Sequence, residues 1–181
     1  MLLPSIKTLL SVSILTGGMF IGQSLAPFMA MAETKGASGL PLPRFVSLKS
    51  QKVNMRVGPG QEYKVDWMYT KAGLPLEILQ EYDNWRKVRD SEGSEGWISQ
   101  ALLSGKRTAI VAPWKRGDAN SYIPLVNRPE NKAAIVAKME PGLLISVDEC
   151  EAGWCSIEAG STKGFAAQDQ LWGVYPNERV D

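Results

Sequence analysis

From Phe45 onward the chain alternates apolar and polar positions at a period of two. Val53, Met55 and Val57 alternate with Asn54 and Arg56; Val65, Trp67 and Tyr69 follow, then Leu74, Leu76 and Ile78. That period puts one set of side chains on a buried face and predicts short, half-buried β-strands. Asp83-Asn84 and Ser91-Glu92-Gly93-Ser94 carry turn chemistry, and strands follow them at Trp85 to Arg89 and Gly96 to Ser99. Gln100 to Leu103 reads as one short helical turn. Five or six strands within roughly 60 residues predict a small all-β barrel.

The pattern then recurs. Val53–Gly60 (VNMRVGPG), Ala72–Leu79 (AGLPLEIL), Asp83–Val88 (DNWRKV) and Glu95–Ile98 (EGWI) are answered by Ile123–Glu130 (IPLVNRPE), Pro141–Val147 (PGLLISV), Ala152–Ile157 (AGWCSI) and Lys163–Ala166 (KGFA). Met55 aligns with Leu125, Trp85 with Trp154 and Trp97 with Phe165, so the offset drifts only from 70 to 68 residues. Two such units point to tandem binding modules rather than one catalytic domain. The expected organisation is a first barrel over 45–105, a connector over 106–120, a second barrel over 121–175 and a tail over 176–181. Trp85 and Trp97 recur at matching positions and are expected in the core. Trp114, in the connector, is expected to pack as a brace, because tryptophan is usually well buried. The connector's Lys106, Arg107, Lys115 and Arg116 read as a solvated loop; the alternative is that they lie against an acidic second barrel.

The amino-terminal stretch breaks this pattern. Lys7 is the only charge in the first 32 residues, Thr8 to Gly22 is mostly apolar, and Ala30-Met31-Ala32 supplies small residues before Glu33. This reads as a signal peptide over 1–32, cleaved near Ala32, which places the mature chain in the periplasm or outside the cell with no transmembrane segment. Residues 33–44, rich in Gly, Pro and small side chains, read as a flexible leader.

Composition narrows the chemistry. Without its signal the chain loses one Lys from 20 and no acid, leaving 19 basic and 19 acidic residues. Nucleic acid is not an expected partner, because it needs a concentrated basic surface. The sequence has no histidine, which removes the usual general base, and an enzyme is not expected. The carboxylates at Asp90, Glu92 and Glu95, and at Asp148, Glu149 and Glu151, read as solvated turn acids. No metal or other cofactor is expected, since two cysteines without histidine cannot complete a zinc shell. Those cysteines, Cys150 and Cys155, have four residues between them across a hairpin and are expected to form a structural disulfide after export. They align with Glu81 and Arg86, so an ion pair is expected to close the same hairpin in the first barrel.

Asn54-x-Arg56-x-Gly58-Pro59-Gly60, Asn84-Trp85-Arg86-Lys87-Val88 and Glu95-Gly96-Trp97-Ile98 together resemble the bacterial SH3-like domain. The whole mature chain looks like the tandem SH3-like proteins exported by alphaproteobacteria, which share LPLPRFVSLKS (40–50), AIVAPW (109–114) and LWGVYP (171–176). The resemblance implies two tandem SH3-like β-barrels and binding of a cell-wall peptide or glycan, or recruitment of an envelope protein as an adaptor. A small hydrolase is a remote third reading. The second copy lacks the Asn-x-Arg-x-Gly-Pro-Gly string, so the first is expected to be the main binding module. Tyr63 and Tyr82 flank its loops and align with Ala133 and Glu151, which makes them groove candidates together with Arg56 and Asn54. For Arg56 and Asn54 a purely structural role in the loop is the competing reading.

Overall fold

The computed structural model describes residues 34–181. The signal-peptide reading of 1–32 lies outside these residues.

A short hairpin pairs β1 (Thr34–Lys35) with β2 (Pro41–Leu42). The first curled sheet then uses β3 (Arg44–Leu48), β4 (Val53–Arg56), β5 (Val65–Tyr69), β6 (Pro75–Tyr82), β7 (Trp85–Arg89), β8 (Glu95–Ser99) and β9 (Leu103–Ser104). The second uses β10 (Thr108–Val111), β11 (Ile123–Val126), β12 (Ile135–Met139), β13 (Leu144–Glu151), β14 (Trp154–Ala159), β15 (Thr162–Ala167) and β16 (Leu171–Trp172). The strand orders are β5-β4-β8-β7-β6-β3-β9 and β12-β11-β15-β14-β13-β10-β16. Each strand of one sheet therefore has its counterpart seven places on, and the all-β tandem repeat is present strand by strand. A 3-10 turn precedes the last strand of each sheet, at Gln100–Leu102 and Gln168–Gln170.

The period of two explains the cores. Leu48, Val53, Met55, Tyr69, Leu76, Ile78, Val88 and Ile98 form one buried cluster. Ile123, Leu125, Met139, Ile145, Val147, Ile157 and Ala166 sit within the other. Glycine is required where the sheets fold tightly. A Cβ on Gly96 would stand 2.9 Å from the Arg56 carbonyl oxygen, and one on Gly164 would stand 2.8 Å from that of Val126. Both EGWI and KGFA keep the residue that allows this approach.

Several boundaries differ from expectation. Residues 106–120 are not simply a connector, because β10 lies within them and pairs with β13 and β16, the same place β3 holds in the first sheet. All four of its residues, Thr-Ala-Ile-Val, are buried; the surrounding bases concealed a strand too short to show alternation. Trp114 is 57% exposed on a 3-10 turn (Pro113–Lys115) and braces nothing. The leader is docked rather than loose: the Ser38 amide and hydroxyl each donate to Glu81 at 2.7 Å, and Arg44 pairs with it at 2.6 Å. The tail is paired too. Cys150 and Val180 exchange backbone hydrogen bonds, and Arg107 grips Glu178 at 2.8 Å.

The barrels meet through side chains as well as sequence. Phe45 packs against Trp172 and Tyr175 with ring centroids 5.1 and 4.7 Å away. Tyr175 donates from its hydroxyl to the buried Glu77 at 2.9 Å, and Arg89 donates to the same carboxylate at 2.5 and 3.0 Å. Thr108 donates to the Gly73 carbonyl at 2.7 Å. Trp172 and Tyr175 thus belong to the junction, not to an open groove in the second barrel.

Candidate ligand-binding face

The first barrel's outer face follows from strand register. Arg56 lies opposite Trp97, Trp97 opposite Lys87, Lys87 opposite Gln80, and Trp85 opposite both Tyr82 and Ser99. Alternation puts all of these on one side, because their neighbours Arg86, Val88, Gly96 and Ile98 are buried. Tyr82 is 59% exposed and meets Trp97 edge-on, with centroids 6.4 Å apart. Lys87 donates to Glu95 at 2.8 Å, and that hydrogen bond holds the Glu95 carboxyl below the usual range. The result is an aromatic shelf with mixed charge along its rim.

Trp85 and Trp97 are therefore not core residues, contrary to expectation; both are half-buried on this outer face. The signal was present in Trp85-Arg86-Lys87-Val88-Arg89. If Val88 faces in, then Lys87 faces out, and alternation sends Trp85 out with it.

The other candidates occupy different parts of this face. Arg56 donates to the Gln61 and Tyr63 carbonyls at 3.0 and 2.6 Å, so it shapes the loop between β4 and β5. Tyr63, 42% exposed, lays its ring over Gly58, where any Cβ would collide with it. Asn54 is exposed on the outward side of β4, opposite Met68 of β5. The register thus brings Tyr82, Trp97 and Arg56 together, while Tyr63 and Asn54 flank them from the loop and the next pair of strands.

At the closed end of this hairpin, Glu81 lies opposite Arg86 as Cys150 lies opposite Cys155. Arg86 Nε stands 3.3 Å from Glu81, and the two cysteines are disulfide-bonded. Asp83 and Ala152, both in the turn, share the left-handed conformation with φ of 46° and 50°. Burial pushes the Glu81 carboxyl up, but the Ser38 and Arg44 hydrogen bonds and the Arg86 charge outweigh it and hold the group down to about 2.

A second concavity, of about 380 Å³, lies between the barrels, with Trp67, Met68, Tyr69, Asp90, Glu92 and Arg116 among its lining. Arg116 crosses it to Glu92 at 2.6 Å. Tyr69 donates to Asp90 at 3.0 Å; burial first, and then that carboxylate, push its hydroxyl well above the ordinary range. Among the described residues no group of three or more Asp, Glu, His or Cys is placed to hold a metal. What these surfaces offer chemically is recognition by stacking, hydrogen bonding and charge.

The chain is similar to several known proteins. The family described as the bacterial SH3 domain matches twice, over residues 49–105 and 119–173. The chain is 22% identical over 128 residues to YrvJ of Bacillus subtilis (strain 168), named by assignment as an N-acetylmuramoyl-L-alanine amidase. The match covers 68% of this chain but 24% of YrvJ, so the chain spans about a quarter of that relative. Solved structures of NlpC2 and NlpC1 from Trichomonas vaginalis are each 13% identical with a TM-score of 0.32. Those matches cover 72% and 76% of this chain and 48% of each of theirs.

Proposed function

Because the chain belongs to the bacterial SH3 domain family through both of its barrels, we propose that it is an exported, non-enzymatic binding protein of the bacterial cell envelope, and that its ligand is a peptide or glycan of peptidoglycan. The observation that carries this is the exposed shelf of Tyr82, Trp97 and Trp85 beside Arg56. Flat aromatic faces suit sugar rings and extended peptides, and a guanidinium at the rim suits a carboxylate. YrvJ supports the reading: its name specifies a glycan–peptide junction as target, and the segment it shares with this chain is a minor part of its length. In a chain without histidine, recognition without chemistry is the economical role. Among the described residues no helix is long and apolar enough to cross a membrane, which is compatible with export.

A second reading, an adaptor that recruits an envelope enzyme, is favoured by a different surface. The edge strands β5 and β12 each expose large apolar side chains: Val65, Trp67 and Met68 on one, Ile135 and Val136 on the other. An edge strand has unpaired backbone groups that an extended protein segment can take up.

Co-sedimentation with purified, protein-free sacculi separates the two. A wall binder pellets with the sacculi alone, and Trp97→Ala leaves it in the supernatant. If the protein pellets only when an envelope protein extract is added, the adaptor reading replaces the first.

A further inference from the structure

The second barrel repeats the shelf but reverses its charge. Trp154 stands where Trp85 stands, and Phe165 where Trp97 stands. Around them, Gln80 is replaced by Glu149, Tyr82 by Glu151, Lys87 by Ser156 and Arg56 by Val126. At each of these register positions the charge moves one unit in the negative direction. The residues enclose a groove of about 380 Å³ lined by Pro129, Glu149, Glu151, Trp154, Ser156 and Phe165.

We propose that this groove is a second binding site, specific for a peptide that presents a primary ammonium on an aliphatic stem. The aromatic walls take the methylenes, and an ammonium over an indole face is attracted by its quadrupole. The carboxylates supply the counter-charge. Glu151 is partly committed, because Arg179 of the tail lies 3.5 Å from it and shares itself with Asp181 at 3.0 Å. Arg128, near Pro129, is paired with Glu130 at 3.0 Å. Glu149 is exposed, and among the described residues no cation lies within ion-pair distance of it. It is the residue that selects the ligand. The first barrel's shelf has Gln80 and Tyr82 in the places of these carboxylates and adds Arg56 and Lys87, so it does not select for a cation. The proposal is independent of what the first shelf binds, since it concerns different residues and a different charge.

The test uses the full mature chain, labelled with ¹⁵N, titrated with acetyl-Ala-Lys-Ala-amide and with the same peptide acetylated on the lysine Nζ. The Trp154 indole signal, assigned by its loss in Trp154→Phe, is expected to shift saturably with the first peptide and not with the second. Glu149→Gln is expected to bind the lysine peptide about fivefold more weakly, the size of one surface charge contact. Arg179→Gln, which frees Glu151, is expected to bind it more tightly. Equal response to both peptides, no response to either, or unchanged affinity in Glu149→Gln overturns the proposal. Because Glu149 is exposed, its substitution leaves the fold intact, and an unchanged spectrum elsewhere verifies that. Sacculus binding by the same variants reads the first shelf separately.

Discussion

At the residue scale, Glu81 does the work that a disulfide does in the other barrel. Its side chain is 1% exposed, accepts from Ser38 and Arg44 and is ion-paired with Arg86 in one cluster. Its carboxyl, ordinarily near 4.5, is held down to about 2. A depressed carboxyl contributes stability that is present above the unfolded value and lost as pH falls through the folded one. The contribution is therefore complete at neutral pH and disappears between about 4.5 and about 2. Glu81→Gln is expected to cost up to about 3 kcal/mol at pH 7 and to flatten that acid limb, as read by urea unfolding at a series of pH values. A pH dependence identical to wild type through that window would mean another carboxylate controls it. The equivalence has a covalent test as well. Glu81→Cys with Arg86→Cys is expected to oxidise to a bridge like Cys150–Cys155, seen as the loss of two hydrogens in mass spectrometry; two persistent thiols would show that the hairpin ends differ in geometry. The tryptophans give a contrasting expectation. Trp85→Ala, on the half-buried outer face, is expected to cost about 1 kcal/mol. Ile98→Ala, from a fully buried position, is expected to cost about 2–5 kcal/mol.

At the element scale, each barrel borrows a terminal segment to cover the same hairpin. The leader hairpin β1–β2 docks on Glu81, and the tail pairs Val180 with Cys150. Glu178 adds both of its oxygens to Arg107 and one to the Tyr175 amide, and Gln168 donates to the Tyr175 and Glu178 carbonyls. Deleting 177–181 removes Glu178 from the half-buried Arg107 and one of two carbonyl partners from the buried Gln168. It is expected to lower stability by about 2–3 kcal/mol, measured by thermal or chemical unfolding of residues 33–181 with and without the deletion; an unchanged midpoint would show that the tail is only laid over the surface. These segments also show where the sequence was and was not legible. Alternation made the strands of both copies readable, and repeat alignment paired Glu81–Arg86 with Cys150–Cys155. It could not reveal that Gly- and Pro-rich residues 34–44 are pinned, because the pinning group is a single carboxylate far along the chain. β10 escaped because four uniformly buried residues have no period. The shelf is half legible: loop position marks Tyr82 and Arg56 as candidates, but recurrence alone points Trp85 and Trp97 inward, whereas both lie on the outer face. Recurrence marks a shared position; only parity with Val88 and Ile98 tells which side it faces.

At the scale of the whole molecule, two homologous barrels are held by a junction that neither could form alone. Phe45 fills the space between Trp172 and Tyr175, and Glu77 is buried between Arg89 of its own barrel and the Tyr175 hydroxyl of the other. Burial, then the Glu77 carboxylate, push that hydroxyl far above its ordinary value, so it stays a donor across the accessible pH range. A small barrel of this size is marginal by itself, and the junction couples the two. Unfolding is expected as one calorimetric transition, separating into two in Phe45→Ala; two transitions in the wild type would mean the barrels fold independently. The same contacts set the two shelves in one arrangement. The most direct test of wall recognition by the first shelf is isothermal titration of residues 33–181 with soluble peptidoglycan fragments, comparing wild type with Tyr82→Ala/Trp97→Ala. Saturable binding by the wild type and its loss in the double variant, with the thermal midpoint nearly unchanged, is the expected result. Equal affinity in the two proteins, or no heat from either, would contradict it.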